Sequence, residues 1–332
     1  MRSAVEWAER HQVPLYLGAL ALGAAIGLLV PSVAEPAESL ITPVLALLLY
    51  ATFLGVPFRE IGAALRDRRF LTTVLVVNFA VVPVVVFVLS RVVAHDQAVL
   101  AGVLFVLLTP CVDYVIVFTG IAGGAKGRLL AATPLLMLAQ LVLLPAYLWV
   151  MAGPELVATF DVAPFVEAFL LLIVLPLAAA GLTQLLARTP AGRVVQGVGL
   201  GAMVPLMMLT LAVVVVSQIA HVASQLGAVL LAALVFVVFA AVMVPIGIAA
   251  GRVARMDVPA RRAVVFSGAT RNSLVVLPLV LALPPALDLA PLVVVTQTLV
   301  ELVAMVVFVR LVPRLVPDGS PMGRRRASTI DT

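Results

Sequence analysis

Charge is what this chain has least of. Charged residues make up 11% of its 332 positions, less than half the roughly 25% of an ordinary soluble domain. So few charges do not coat a water-facing surface, which argues against a soluble enzyme and against a disordered protein. Cysteine occurs once, so there is no disulfide framework and no multi-thiolate metal site. His11, His95 and His221 lie near the ends of apolar runs and form no metal cluster. There is no glycine-rich phosphate loop and no nucleophile–base–acid set, so this chain alone is not expected to be an ATP-driven pump or an enzyme. No cofactor and no metal are expected. The net charge of +5 would suit nucleic acid, but the basic residues sit in short loops between apolar runs. That pattern orients a membrane protein and makes the lipid bilayer, not nucleic acid, its partner.

What is present is apolar: 64% of the residues are hydrophobic and the mean hydropathy is +1.23. A membrane-spanning helix needs about 20 apolar residues. Ten runs qualify, at 13–31, 39–57, 70–93, 97–123, 128–152, 164–186, 197–220, 226–250, 262–283 and 289–312. They are long and continuous, not short and alternating, so the expected fold class is an all-α polytopic membrane protein and not a β-barrel. With ten spans, nineteen of the 21 basic residues fall on one side. Glu35, Glu38, Asp96, Glu155, Asp161 and Asp288 fall on the other, with Arg91 as the basic exception. The positive-inside rule then puts both termini in the cytoplasm of a cell-membrane protein. Residues 1–12 read as an amphipathic surface helix, not a cleaved leader. Residues 317–332 read as a disordered cytoplasmic tail.

An offset of 157 residues superposes Pro134 and Gln140 on Pro291 and Gln297, and Cys111 on Gly268. Residues 13–152 and 164–312 therefore read as two five-helix repeats. Because each holds an odd number of spans, the second is inverted, which is a transporter architecture.

Spans 4 and 9 each carry a polar cluster at mid-run, where polar groups are costly. In span 4 it is Thr109-Pro110-Cys111-Val112-Asp113-Tyr114, and Pro110 removes a helix donor. In span 9 it is Ser267-Gly268-Ala269-Thr270-Arg271-Asn272-Ser273. Both helices are expected to be broken and to cross. Broken helices offer free N–H groups at one end and carbonyls at the other, which bind anions and cations respectively. Asp113 and Arg271 are the two charges, and pairing between them is expected. The pair is either a structural tie or a proton carrier with its regulator. Asn78, Gln140 and Gln297 are further buried candidates, either interhelical hydrogen bonds or ligands of a coupling ion. Glu301, four residues from Gln297 and on the same helix face, is the second candidate proton carrier.

TPCVDYVIVFTGIAGG in span 4, NFAVVP in span 3 and FSGATRNS in span 9 resemble the bile acid:sodium symporter superfamily, most closely its arsenical-resistance (arsenite permease) branch. The resemblance covers about residues 13–312. It implies ten helices in two inverted repeats, with helices 4 and 9 crossing. It also implies a core of helices 3–5 and 8–10 that moves against a panel of helices 1, 2, 6 and 7. In the arsenite branch a cysteine on the first broken helix matters for transport, and Cys111 resembles it. In the sodium branch an amide on helix 3 and polar residues of helix 9 bind the cation, positions that Asn78, Asn272 and Ser273 resemble. The sequence departs from both branches in having no Asp or Glu from Val258 to Leu287. Ser267 stands where the sodium branch has its acid, and Arg271 adds positive charge.

The expected function is thus arsenite efflux exchanged for protons by alternating access. Cys111, Thr109, Tyr114, Ser267, Thr270, Arg271, Asn272 and Ser273 would line the site, and Asp113 is the first choice for protonation. The rivals are sodium- or proton-linked symport of a small organic anion, a membrane receptor that moves nothing, and an intramembrane enzyme.

Overall fold

Aspartates set the starts of several helices. Asp67 caps the helix at Arg68 by accepting from the Phe70 amide at 3.2 Å. Asp96 accepts from Ala98 and Val99 at 2.9 and 3.0 Å, and Asp257 from Ala260 at 3.1 Å. Each side-chain oxygen satisfies an N–H that the helix itself leaves unpaired. In a computed structural model, residues 7–8, 11–55, 67–112, 114–153, 170–281 and 283–318 are described. Among these the regular structure is helical.

The elements are α1 (Gln12–Leu29), α2 (Ala34–Leu54), α3 (Arg68–Val93), α4a (Gln97–Leu107), α4b (Tyr114–Ile121) and α5 (Lys126–Ala152). Then follow α6 (Leu170–Leu186), α7a (Pro190–Gly201), α7b (Met203–Ser224), α8 (Leu226–Val253), α9a (Val258–Ala269), α9b (Ser273–Leu281) and α10 (Ala290–Leu315). The regions of α2, α3, α5, α8 and α10 are long and apolar enough to cross a membrane, and α7a with α7b, bent by 45°, counts as a sixth if the pair is one span. α1 has 18 residues and so is about 27 Å long, just under the roughly 30 Å of a bilayer core. Exposed Leu22, Val84, Val142, Val150, Leu230 and Val303 stand on the outer surface, an apolar exterior that suits lipid and not water.

Several boundaries differ from the sequence reading. α9a begins at Val258, four residues before the expected span, because Asp257 caps it and Pro259 suits the first turn. Arg262, the first residue of the expected span, is consequently a full turn inside this helix and 5% exposed. α7a begins at Pro190 behind a Thr189 cap, so Arg193 is helical and not in a loop. Of the expected amphipathic helix at 1–12, residues 1–6, 9 and 10 lie outside the described residues, as do Glu155, Asp161 and the tail beyond Asp318.

Small residues bring helices close. Gly23 and Gly27 form a GxxxG seam on α1. A β-carbon at Gly23 would sit 2.8 Å from the Ala212 carbonyl of α7b, and one at Gly27 would sit 2.7 Å from that of Val216. Gly247 and Gly251 repeat the motif on α8 against Val265 and Arg261 of α9a. α1, α2, α6 and α7b pack as one group, and α3, α4, α5, α8, α9 and α10 as another. The groups meet chiefly where α7b touches α10 and α9b touches α2.

Polar ties fix which helix ends share a face. Arg128 at the start of α5 makes a two-pronged contact with Asp257 at 3.1 and 3.0 Å and a longer one with Asp67 at 3.4 Å. Arg262 donates to the carbonyls of Ala122 and Val316 and pairs with Asp318 at 3.1 Å. The starts of α3, α5 and α9a and the ends of α4b and α10 therefore lie together. On the opposite face, Arg91 at the end of α3 donates to the Met151 carbonyl at the end of α5, 2.9 Å away. There too a cavity of about 300 Å³ is lined by Glu38, Gln225 and Asp288.

Candidate functional site

The two helix breaks meet deep inside the protein. Pro110 cannot donate to the helix before it, and α4a ends at Leu107. α9a ends at Ala269, and Thr270 is extended at φ −108° and ψ 144°. The two linkers then pair antiparallel, with a β-bridge between Pro110 and Arg271. The Asn272 amide donates to the Thr109 carbonyl at 2.9 Å, and the Cys111 amide to the Thr270 carbonyl at 3.4 Å. Each break thus supplies partners for backbone groups the other exposes, as interior backbone requires. Asn272 also starts α9b, its Oδ1 accepting from Val275 at 3.2 Å.

Arg271 is fully buried, and its two ends do different things. Its main-chain N–H donates to Glu301 Oε2 at 2.7 Å. Its guanidinium folds back along α9a. Nη2 donates to the carbonyls of Ser267 and Gly268 at 2.7 and 2.9 Å and to Asn78 Oδ1 at 2.8 Å. Nη1 donates to the Leu107 carbonyl at 3.3 Å, and the Phe239 ring lies 5.5 Å from Cζ. No described carboxylate is in ion-pair contact with it. Asp113, its expected partner, lies outside the described residues.

Glu301 on α10 is 3% exposed. Besides the Arg271 amide it accepts from the Tyr114 hydroxyl at 2.5 Å and from the Gln297 amide. One carboxylate therefore joins α4b, the α9 break and α10. Asn78 reaches the same centre from α3, its Nδ2 donating to Ser267 Oγ at 2.9 Å. It stands in a π-helical turn, Val77–Val81. Pro83 cannot donate to the carbonyl four residues back, that of Phe79. The Tyr147 hydroxyl of α5 takes that carbonyl instead, at 2.5 Å.

Of the expected site residues, Thr109, Cys111, Tyr114, Ser267, Thr270, Arg271, Asn272, Ser273, Asn78, Gln297 and Glu301 all come to this buried centre. Gln140 is buried on α5, but no described hydrogen bond links it to them. Ser273 hydrogen-bonds Thr298 at 2.8 Å. Thr298 was not among the expected residues, although it stands three before Glu301 on the same helix face. Phe239 and the Leu107 carbonyl were also missed, since neither carries a polar side chain. Three buried polar atoms at the centre, Arg271 Nε, Asn272 Nδ2 and Gln297 Oε1, have no hydrogen-bond partner among the described residues, and neither has Gln140 Oε1 on α5. Unpaired buried groups are costly and call for a ligand or water.

Broken helices that cross over a charged, partly unsatisfied centre are the arrangement of a solute transporter. The Sodium Bile acid symporter family matches residues 42–225, more than half of the chain. The chain belongs to this family. Membership makes it an integral membrane protein of a solute-transport family. The matched stretch includes Asn78 and the α4 break and ends before Arg271 and Glu301. No curated protein matches the chain.

Proposed function

We propose that the protein is a gradient-driven transporter that works by alternating access around the α4/α9 crossing, and that its solute is arsenite, moved outward in exchange for protons. Ten spans are inferred, with α1, α4, α6 and α9 crossing the bilayer as short or broken helices. The shared helix ends support this, because the ties through Arg128 and Arg262 on one face and Arg91 on the other alternate as ten crossings require. The antiparallel pairing of the two breaks supports an inverted relation between residues 13–152 and 164–312. The basic loops then put both termini in the cytoplasm.

The observation that carries the reading is Cys111 in the α4 break, fully buried and backbone-paired with Thr270 across the crossing. Thiolate sulfur is a soft ligand, and the unpaired Asn272 Nδ2 and Gln297 Oε1 supply polar contacts for the remaining oxygens. Thr109, Tyr114, Ser267, Thr270, Arg271, Asn272 and Ser273 complete the lining. Glu301 is the proton carrier favoured by geometry, because its three donors come from both broken helices and from α10 itself. Asp113 remains a carrier proposed from sequence.

A second reading is symport of a small organic anion. The unpaired Asn272 Nδ2 at the N-terminal end of α9b favours it, since N–H donors at a helix start attract anions.

Arsenite accumulation in inside-out vesicles under an imposed proton gradient tests the first reading. Accumulation is expected for the wild type, with loss in Cys111→Ser. No accumulation by folded wild-type protein overturns arsenite as the solute, and anion uptake by the same vesicles would establish the second reading.

A further inference from the structure

The surroundings of the Arg271 guanidinium are those of a bound cation. Four oxygens converge on it: Asn78 Oδ1 and the carbonyls of Ser267, Gly268 and Leu107, at 2.7–3.3 Å. None is a carboxylate oxygen. Ser267 and Gly268 lie in the last turn of α9a, and Leu107 ends α4a. Both half-helices therefore turn their negative ends toward one point. In broken-helix transporters such carbonyl ends coordinate an exchangeable coupling cation. Here that space holds a positive charge covalently tethered to the chain.

We propose that the Arg271 guanidinium is a resident cation filling this oxygen cage, so that the crossing binds no exchangeable sodium. The inference deepens the transporter reading and rests on the crossing being its coupling centre. The tether is short: the side chain reaches back only three and four residues, to Gly268 and Ser267. The charge therefore travels with α9a instead of being taken up on one side and released on the other. Asn78 is committed at both ends, its Oδ1 to Arg271 and its Nδ2 to Val74 and Ser267. The amide on α3 thus holds the arginine where a cation ligand would be expected. The only carboxylate described in the cluster, Glu301, meets the Arg271 main chain and leaves the guanidinium to neutral oxygens. A change of charge load at the centre then falls to Glu301, a proton site, and not to the cage.

The test uses purified full-length protein in detergent, with thermal unfolding and radiolabelled-sodium binding measured in sodium and in choline chloride at matched ionic strength. The wild type is expected to unfold at the same temperature in both salts and to show no saturable sodium binding. Arg271→Gln empties the cage while keeping an amide. It is expected to unfold several degrees lower in choline and to regain part of that loss in sodium, because a ligand of the native state stabilises it. Arg271→Lys keeps the charge and should stay insensitive to sodium. Saturable sodium binding by the wild type overturns the proposal, and so does a folded Arg271→Gln protein that ignores sodium. If Arg271→Gln does not fold, the wild-type binding result decides alone. Neither readout needs transport, so absence of flux in proteoliposomes would count against the transporter reading and leave this result standing.

Discussion

The Tyr114 hydroxyl donates to the Glu301 carboxylate at 2.5 Å, binding the first residue of α4b to the middle of α10. Without that hydroxyl the buried carboxylate keeps two donors, the Arg271 amide and the Gln297 side chain. Tyr114→Phe should therefore fold and lose about 1–3 kcal/mol of stability, the range for a hydrogen bond to a buried polar or charged acceptor. Chemical denaturation in detergent reads this directly, and an unchanged midpoint would mean that the bond carries no net stability.

Glu301→Gln keeps an acceptor for the Arg271 amide but removes the ionisable group. The variant should fold, still exchange solute down its own gradient and lose proton-driven accumulation. Counterflow and gradient-driven uptake, measured side by side in proteoliposomes, separate the two. Retained proton-driven accumulation would remove Glu301 from the coupling scheme.

The α8–α9a seam should be sensitive to single methyl groups. A β-carbon at Gly247 would stand 2.8 Å from the Val265 backbone, whereas one at Gly227 on the same helix meets nothing within 4 Å. Alanine favours a helix over glycine by roughly 1 kcal/mol, so Gly227→Ala should be neutral or slightly stabilising. Gly247→Ala should instead destabilise by about 1–3 kcal/mol through overpacking. Equal melting temperatures for the two variants would contradict the close approach.

Two arginines on one face should behave differently. Arg128 is 44% exposed, and its partners Asp257 and Asp67 are 51% and 38% exposed. Solvent weakens such contacts, and Arg128→Ala should cost under about 1 kcal/mol. Arg262 is buried and donates to carbonyls at the ends of α4b and α10. Arg262→Ala leaves those carbonyls unpaired and should cost at least about 1–3 kcal/mol. Comparison of the two unfolding curves checks the ranking.

Much of this centre is legible in the sequence because the physics that marks it is local. Pro110 and the polar run around Arg271 stand out against apolar flanks, so both breaks and their meeting can be anticipated. Glu301 and Gln297 follow from four-residue spacing. The environment of Arg271 cannot be read this way. The sequence offers Asp113 as its natural partner, but the described partners are mostly main-chain carbonyls, which every residue carries and no pattern distinguishes. The π-turn at Val77–Val81 is hidden for a similar reason. Pro83 signals a lost donor, but which side chain answers the freed carbonyl depends on α5 lying alongside. The 45° bend between α7a and α7b, by contrast, has a local signal: Gly201 stands at the break, and Pro205, four residues on, cannot donate to its carbonyl.

Arg128 and Arg91 have a joint mechanical effect. The first links the start of α5 to the Asp67 cap of α3, and the second links the ends of the same two helices. Two parallel rods tied at both faces are favoured to move together, although each exposed tie is weak by itself. Tyr147 adds a rivet at mid-length, at the π-turn that presents Asn78. The amide facing Arg271 is therefore mounted on a pair of helices held in register, which favours taking up displacement between the two helix groups outside that pair.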